Sequence, residues 1–255
     1  MSSFETFVQL HRNATPLLLG NIWDVKSARI FEAAGYKAIG TSSMAVAKSF
    51  GYEDGEKLPF ETLLQLAKEV VAAVNIPFSV DIEGGYSRVT REIIRNIEKL
   101  HDAGVVGINL EDTIAGATRA LQPVADVQKM LSAVANHISQ HHLNLFLNVR
   151  TDGFLLGMPT ALAETLARVK SYESAGADGI FVPCITSSSD IKAVVEATRL
   201  PINVMCVPGL PGFEELESLG VKRISMGPFF FNKAYDSMLQ LAKTIGDDKN
   251  FSSIL

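Results

Sequence analysis

The segment LHDAGVVGIN, residues 100–109, recurs in outline as FEAAGYKAIG at 31–40, YESAGADGIF at 172–181 and LESLGVKRIS at 216–225. Each reads as the apolar end of a helix, a glycine that closes it, and an apolar strand starting a few residues later. Four such joins make helices and strands alternate, which implies parallel strands linked by crossover helices. Apolar runs at 17–22, 38–41, 78–82, 105–110, 143–149, 179–182, 202–206 and 224–226 supply eight strands, with helical periodicity between them, as at 60–74 and 160–176. Eight strands and about eight helices in 255 residues predict an α/β fold of the (β/α)8 TIM-barrel type. A doubly wound open sheet is the alternative. Against it, the first strand runs into NIWDVKSARI rather than a glycine-rich dinucleotide turn. No linker or low-complexity stretch divides the chain, so residues 1–255 read as one domain.

Lys and Arg number 23 against 28 Asp and Glu, a formal charge of −5, with the basic residues scattered. This excludes nucleic acid as the main partner and offers no basic run for a membrane surface. The opening MSSFETFVQLHRNATP lacks the basic start and apolar core of a signal peptide. Cys184 and Cys206 suggest neither a disulfide framework nor a zinc site and read as small buried apolar residues. The expectation is a cytoplasmic protein acting on small molecules.

In a barrel the chemistry sits at the C-terminal strand ends. The third strand ends in SVDIEGGYSRVT, residues 79–90, where Asp81 and Glu83, two apart on a strand, should point the same way. Glu111 ends the next strand and adds a third carboxylate. Uncompensated, the three would repel. A divalent cation is the simplest remedy, and all-oxygen ligation points to Mg2+ or Mn2+ rather than zinc. His11, His101, His137, His141 and His142 all fall in or beside helices, away from those ends. Arg150, ending the fifth strand, can grip an anion through two parallel hydrogen bonds. Gly84 and Gly85 let the backbone turn away without crowding the site. Trp23, at the first strand end, reads as a pocket wall. Each residue also has a plainer reading. Asp81, or Glu111 with Asp112, could cap a helix, and Arg150 could simply neutralise Glu111.

The chain resembles the isocitrate lyase / phosphoenolpyruvate mutase superfamily in NIWD at 21–24, TSS at 41–43, GYEDG at 51–55, DIEGGY at 81–86, NLED at 109–112 and VRTD at 149–152. The resemblance implies a barrel whose last helix, here 228–245, is often swapped between subunits of a dimer or tetramer. It implies Mg2+-dependent chemistry on small 2-oxo or hydroxy acids through an enolate-like intermediate. It makes Asp81 the direct metal ligand, with Glu83 and Glu111 acting through water. Ser42, Ser43 and Met44 would hold a substrate carboxylate by their backbone, beside Trp23 and Asp81. Arg150 would bind the anion, Asp54 would lie at the mouth, and Asp54, Glu111 and Arg150 are the catalytic candidates.

The chain departs from the family pattern in the loop TIAGATRALQP, residues 113–123, which lacks the catalytic Cys and His of the lyases and the Lys-Asn-Ser of the phosphonate mutases. Arg119 is its only charged residue. Cys184 stands near a position where the mutases carry histidine. Decarboxylation suits such a site because departing CO2 needs no proton, with retro-aldol or retro-Claisen cleavage next. A carbon–carbon lyase or decarboxylase for an oxaloacetate-like acid is therefore expected. The alternatives are phosphonate C–P hydrolysis or transfer, a non-catalytic 2-oxo acid-binding barrel, and a phosphate site at VPGLPG (207–212) and MGPF (226–229). A Schiff-base aldolase is disfavoured, since no lysine occupies a C-terminal strand end.

Overall fold

The computed structural model describes residues 1–114 and 119–255. The chain runs α1 (Ser3–Leu10), β1 (Leu17–Leu18), β2 (Gly20–Ile22), α2 (Val25–Ala33), β3 (Ile39–Thr41), α3 (Ser43–Ser49), α4 (Phe60–Val71) and β4 (Phe78–Asp81). It continues through α5 (Thr90–Asp102), β5 (Gly107–Glu111), β6 (Thr113–Ile114), β7 (Ala120–Leu121), α6 (Val124–Gln140), β8 (Phe146–Arg150) and α7 (Ala161–Ser174). Last come β9 (Gly179–Val182), α8 (Ser188–Glu196), β10 (Ile202–Met205), α9 (Phe213–Ser218), β11 (Arg223–Ser225) and α10 (Phe229–Asp248).

The main sheet is parallel, in the order β1-β11-β10-β9-β8-β5-β4-β3-β2. β1 and β2 are halves of one strand interrupted at Leu19. The first half pairs with β11 (Leu17↔Arg223) and the second with β3 (Gly20↔Ile39), so the sheet closes on itself. Nine segments thus form eight staves, the expected TIM barrel.

The repeated glycines do what the sequence requires of them. Gly35, Gly104, Gly176 and Gly220 follow the ends of α2, α5, α7 and α9 with φ between +86° and +95°. In each, the next N–H reaches back five residues, as in Val105 N to Leu100 O at 3.1 Å and Val221 N to Leu216 O at 3.0 Å. This closure needs a left-handed residue, which glycine adopts without penalty.

A large core lies between staves and helices, and a second cluster of Phe7, Leu17, Leu19, Ala38, Val106 and Phe146 closes the N-terminal end. α1 supplies the plug: Phe7 is fully buried and meets Phe146 edge-on at 5.6 Å.

Strand and helix ends match the sequence reading or differ from it by up to three residues, with β9 as expected at 179–182 and α4 stopping at Val71 rather than at 74. The antiparallel pair β6-β7 (Thr113↔Leu121, Ile114↔Ala120) was not legible, because two-residue strands carry no periodicity. Residues 115–118 of that loop lie outside the described residues. From Asn232 onward α10 is almost wholly exposed, with Met238 58% and Leu239 50% accessible.

Candidate active site

The C-terminal stave ends surround a cavity of about 320 Å³ whose lining includes Asn21, Ser42, Ser43, Met44, Asp54, Asp81, Asn109, Arg119 and Arg150. A larger cleft of about 500 Å³ at the opposite end, beside His11 and Lys222, contains none of the strand-end carboxylates.

Thr41 Oγ1 accepts from Asp81 N at 2.8 Å, fixing the last residue of β4 against β3. Asp81 is not a helix cap. Its Oδ1 accepts from Glu83 N at 3.0 Å, and α5 begins after Val89. Burial raises the Asp81 pKa, and Arg150 opposes the rise.

The expectation that strand alternation places Glu83 beside Asp81 is corrected. β4 ends at Asp81, and a left-handed turn at Glu83 (φ 50°), Gly85 (φ 91°) and Tyr86 (φ 59°) carries the second carboxylate inward. Both Glu83 oxygens accept the Glu56 N–H, at 3.0 and 2.9 Å. Burial, with Asp54 and Asp81 nearby, pushes the Glu83 pKa up to about 8.

Glu111 ends β5 opposite Arg150 of β8 in register. Arg150 grips Asp152 through Nε (2.6 Å) and Nη2 (3.1 Å) and places Nη1 3.2 Å from Glu111 Oε2. The plainer reading of Arg150 is therefore present: it neutralises buried carboxylates while also lining the cavity. Burial still raises the Glu111 pKa to about 7, against the pull of Arg150. Asp112 does not cap a helix. Its Oδ2 accepts from Arg168 (3.0 Å) and Tyr172 (2.8 Å), tying the end of β5 to α7.

Arg119, which sequence reasoning noticed but gave no role, is a central group. It reaches Glu111 at 2.9 Å, Asp152 at 3.1 Å and Asp54 at 3.4 Å. A lone charge in a loop carries no signal of where it lands. The sequence likewise assigns no role to Asn21. Its Oδ1 accepts from Met226 N (2.6 Å) and Gly227 N (3.1 Å), joining the first and last staves.

Ser43 and Met44 open α3, where their N–H groups have no intrahelical acceptor, and Ser42 caps that helix through Ala45 N. Trp23 is not among the cavity-lining side chains. It packs edge-on against Phe231 at 5.2 Å and near Phe230 at 6.4 Å, the core-packing arrangement rather than a pocket wall. Neither cysteine is fully buried. Cys206 is exposed, and Cys184 lines the cavity at φ 65° with burial raising its thiol pKa.

Among the described residues no three His, Cys, Asp or Glu side chains converge as a ready-made metal cage. Asp81 alone of the three expected ligands lines the cavity, with Glu83 and Glu111 held behind it. Even so, among the described residues Asp54, Asp81, Glu83, Glu111 and Asp152 have only Arg119 and Arg150 in ion-pair contact, with Arg223 acting on Asp81 from further off. Asp54 Oδ1 is buried without a hydrogen-bond partner, and Glu111 Oε2 is met only by the Arg150 guanidinium at 3.2 Å among the described residues. A hard dication fits this excess of acidic oxygen.

A closed parallel barrel with acids and arginines gathered at its C-terminal mouth is the architecture of an enzyme site. The chain belongs to the phosphoenolpyruvate phosphomutase family, whose model matches residues 7–246, and it is an enzyme of the isocitrate lyase / PEP mutase type. It is 32% identical over 242 residues to the uncharacterized protein MT2054 of Mycobacterium tuberculosis, covering 95% of this chain and 89% of that one. The oxaloacetate decarboxylase of Bradyrhizobium diazoefficiens is 28% identical over 190 residues, 72% of this chain and 64% of that one. A crystal structure of a candidate phosphonomutase from Burkholderia cenocepacia J2315 superposes with a TM-score of 0.90 at 36% identity, covering 94% of this chain and 99% of that one. Among the described residues no helix is long and apolar enough to cross a membrane.

Proposed function

We propose that the protein is a Mg2+- or Mn2+-dependent carbon–carbon lyase acting on a small 2-oxo dicarboxylic acid, with oxaloacetate decarboxylation the reaction its site suits best. The observation that carries the reading is the acid excess at the mouth: five neighbouring carboxylates with, among the described residues, two guanidiniums in ion-pair contact and a third, Arg223, further off, and with Glu83 and Glu111 pushed up to about 8 and 7 by burial. Asp81 would hold the cation directly, with Glu83 and Glu111 behind it through water. A bound dication supplies Lewis acidity to a keto oxygen whose charge grows as the C–C bond breaks.

The side chains perform the rest. The N–H groups of Ser43 and Met44 receive one substrate carboxylate, and Arg119 and Arg150, which line the same cavity, receive the other. Asp54, paired with Arg119 at 3.4 Å, positions that guanidinium at the mouth. Loss of CO2 requires no protein acid at the departing carbon. This agrees with the sequence of loop 113–123, which offers neither Cys nor His.

The reading extends to the rest of the molecule. One closed barrel supports a single domain over 1–255. Exposed Met238, Leu239 and Leu241 on α10 support a homo-oligomer, dimer or tetramer, in which that helix is swapped onto a neighbour. Two free cysteines suit a cytoplasmic setting.

The test incubates the protein with Mg2+ and oxaloacetate and follows pyruvate above the metal-only background. Absence of turnover across C4 to C6 oxo and hydroxy acids removes the reading. The similarity to a candidate phosphonomutase motivates a parallel assay with phosphonopyruvate. Turnover there alone would replace C–C with C–P cleavage.

A further inference from the structure

Below the cavity the barrel interior holds amides that the reaction has not yet used. Asn109 on β5, Asn148 on β8 and Asn203 on β10 are 6%, 1% and 1% exposed, and Arg223 on β11 is buried beside them. Their hydrogen bonds run in one direction. Asn203 Nδ2 faces the carbonyl oxygens of Val204 (2.7 Å) and Arg223 (3.3 Å), so its Oδ1 is the atom left to accept from Asn148 Nδ2 (3.4 Å). The same Asn148 Nδ2 donates to Asn109 Oδ1 at 2.9 Å. From the other side Arg223 Nη2 donates to that Oδ1 at 3.3 Å.

An asparagine amide is ordinarily assigned only up to a flip. Here both ends of the relay are closed, by carbonyls that only accept and by a guanidinium that only donates. Asn109 therefore turns its oxygen to Arg223 and Asn148, and its NH2 is the group left for the cavity it lines. That NH2 makes no hydrogen bond among the described residues. In strand register Asn109 lies directly beside Asp81, so the donor stands next to the carboxylate at the centre of the site.

We propose that Asn109 donates a hydrogen bond to an anionic oxygen of the substrate, and that Arg223 and Asn148 are the positioning residues that aim it. This rests on the oxo-acid reading above and names a side chain that selects for the acid's oxygens. A neutral amide suits the place, because a further cation would be drawn to the surrounding carboxylates. The proposal also gives Arg223 a purpose. Asp81 acts on it only from a distance, with no ion pair formed among the described residues, and its Nε and Nη1 are buried without partners. Holding such a charge in the interior is costly. Its permanent donor character is what forbids Asn109 from reversing.

The probe is oxalate, a planar dianion shaped like the enolate of pyruvate, titrated by calorimetry with saturating Mg2+. Loss of a hydrogen bond to a charged group predicts that Asn109→Leu weakens oxalate about 10- to 100-fold. Asn109→Asp, which replaces the donor with an acceptor, weakens it at least as much. Arg223→Met lowers affinity less, and adds nothing in the Asn109→Leu background. That non-additivity is a signature a merely structural arginine does not produce. Wild-type affinity in Asn109→Leu overturns the proposal and leaves the oxo-acid reading standing. A wild-type protein that binds neither oxalate nor any substrate of the panel overturns both. If Arg223→Met does not fold, a crystal of the wild type with oxalate decides. An oxalate oxygen about 3 Å from Asn109 Nδ2 supports the proposal, and its absence overturns it.

Discussion

Replacing Arg150 with methionine separates the electrostatic account of this site from a purely steric one. Methionine keeps much of the side chain's length and removes its charge. Asp152 then loses the bonds at 2.6 and 3.1 Å, and Glu111 loses the charge at 3.2 Å. Removing one partner of a buried ion pair costs about 3–5 kcal/mol. Asp152 keeps Thr113 Oγ1 at 2.9 Å and Arg119 Nη1 at 3.1 Å, which places the cost at the lower end, about 3 kcal/mol. At about 2–4 °C per kcal/mol for a chain of this size, the melting temperature falls by about 6–12 °C. The loss should also deepen with pH. Without Arg150 the Glu111 pKa climbs beyond about 7, and the penalty is fully present only once that group ionises. Mg2+ should recover more melting temperature in the variant than in the wild type, since the dication replaces the missing charge. The assay is a thermal melt of both proteins with and without Mg2+ at about pH 6 and 8. Equal melting temperatures, or equal recovery by Mg2+, would refute the reasoning.

Three further outcomes follow from the same geometry. Burial holds Glu83 and Glu111 at about 8 and 7 against an ordinary 4.5, so the folded metal-free protein retains protons that the unfolded chain has released. Their contribution therefore makes stability greatest below about pH 4.5 and erodes it as pH rises towards 8, and Glu83→Gln should flatten that decline; equal slopes in melts of the two proteins would contradict it. Asp81→Asn removes a buried carboxylate whose charged form is disfavoured, so it should raise the metal-free melting temperature by a few degrees while abolishing turnover; retained activity would remove the metal reading. Phe7→Ala, at the closed end of the barrel, should cost about 3–5 kcal/mol in denaturant unfolding and leave KM unchanged, and a shifted KM would show that the plug communicates with the mouth.

The barrel was legible because its cause is local. A glycine after an apolar helical turn permits one closure and no other, and four copies at 35, 104, 176 and 220 impose alternation on the whole chain. The carboxylates and Arg150 were legible for a related reason, since a charged residue ending an apolar run has to sit at a stave's mouth. What the sequence left open depended on distance through space. Glu83 reaches the site by a left-handed turn rather than by strand alternation, and Trp23 turns towards Phe231 rather than into the cavity. Arg119 closes on acids contributed by β5, by the segment after β8 and by the Asp54 loop, a meeting no linear pattern encodes. The direction of the Asn109 amide is the clearest case. It is set by Arg223, 114 positions away, because the closing of the sheet brings that donor-only group up to its oxygen.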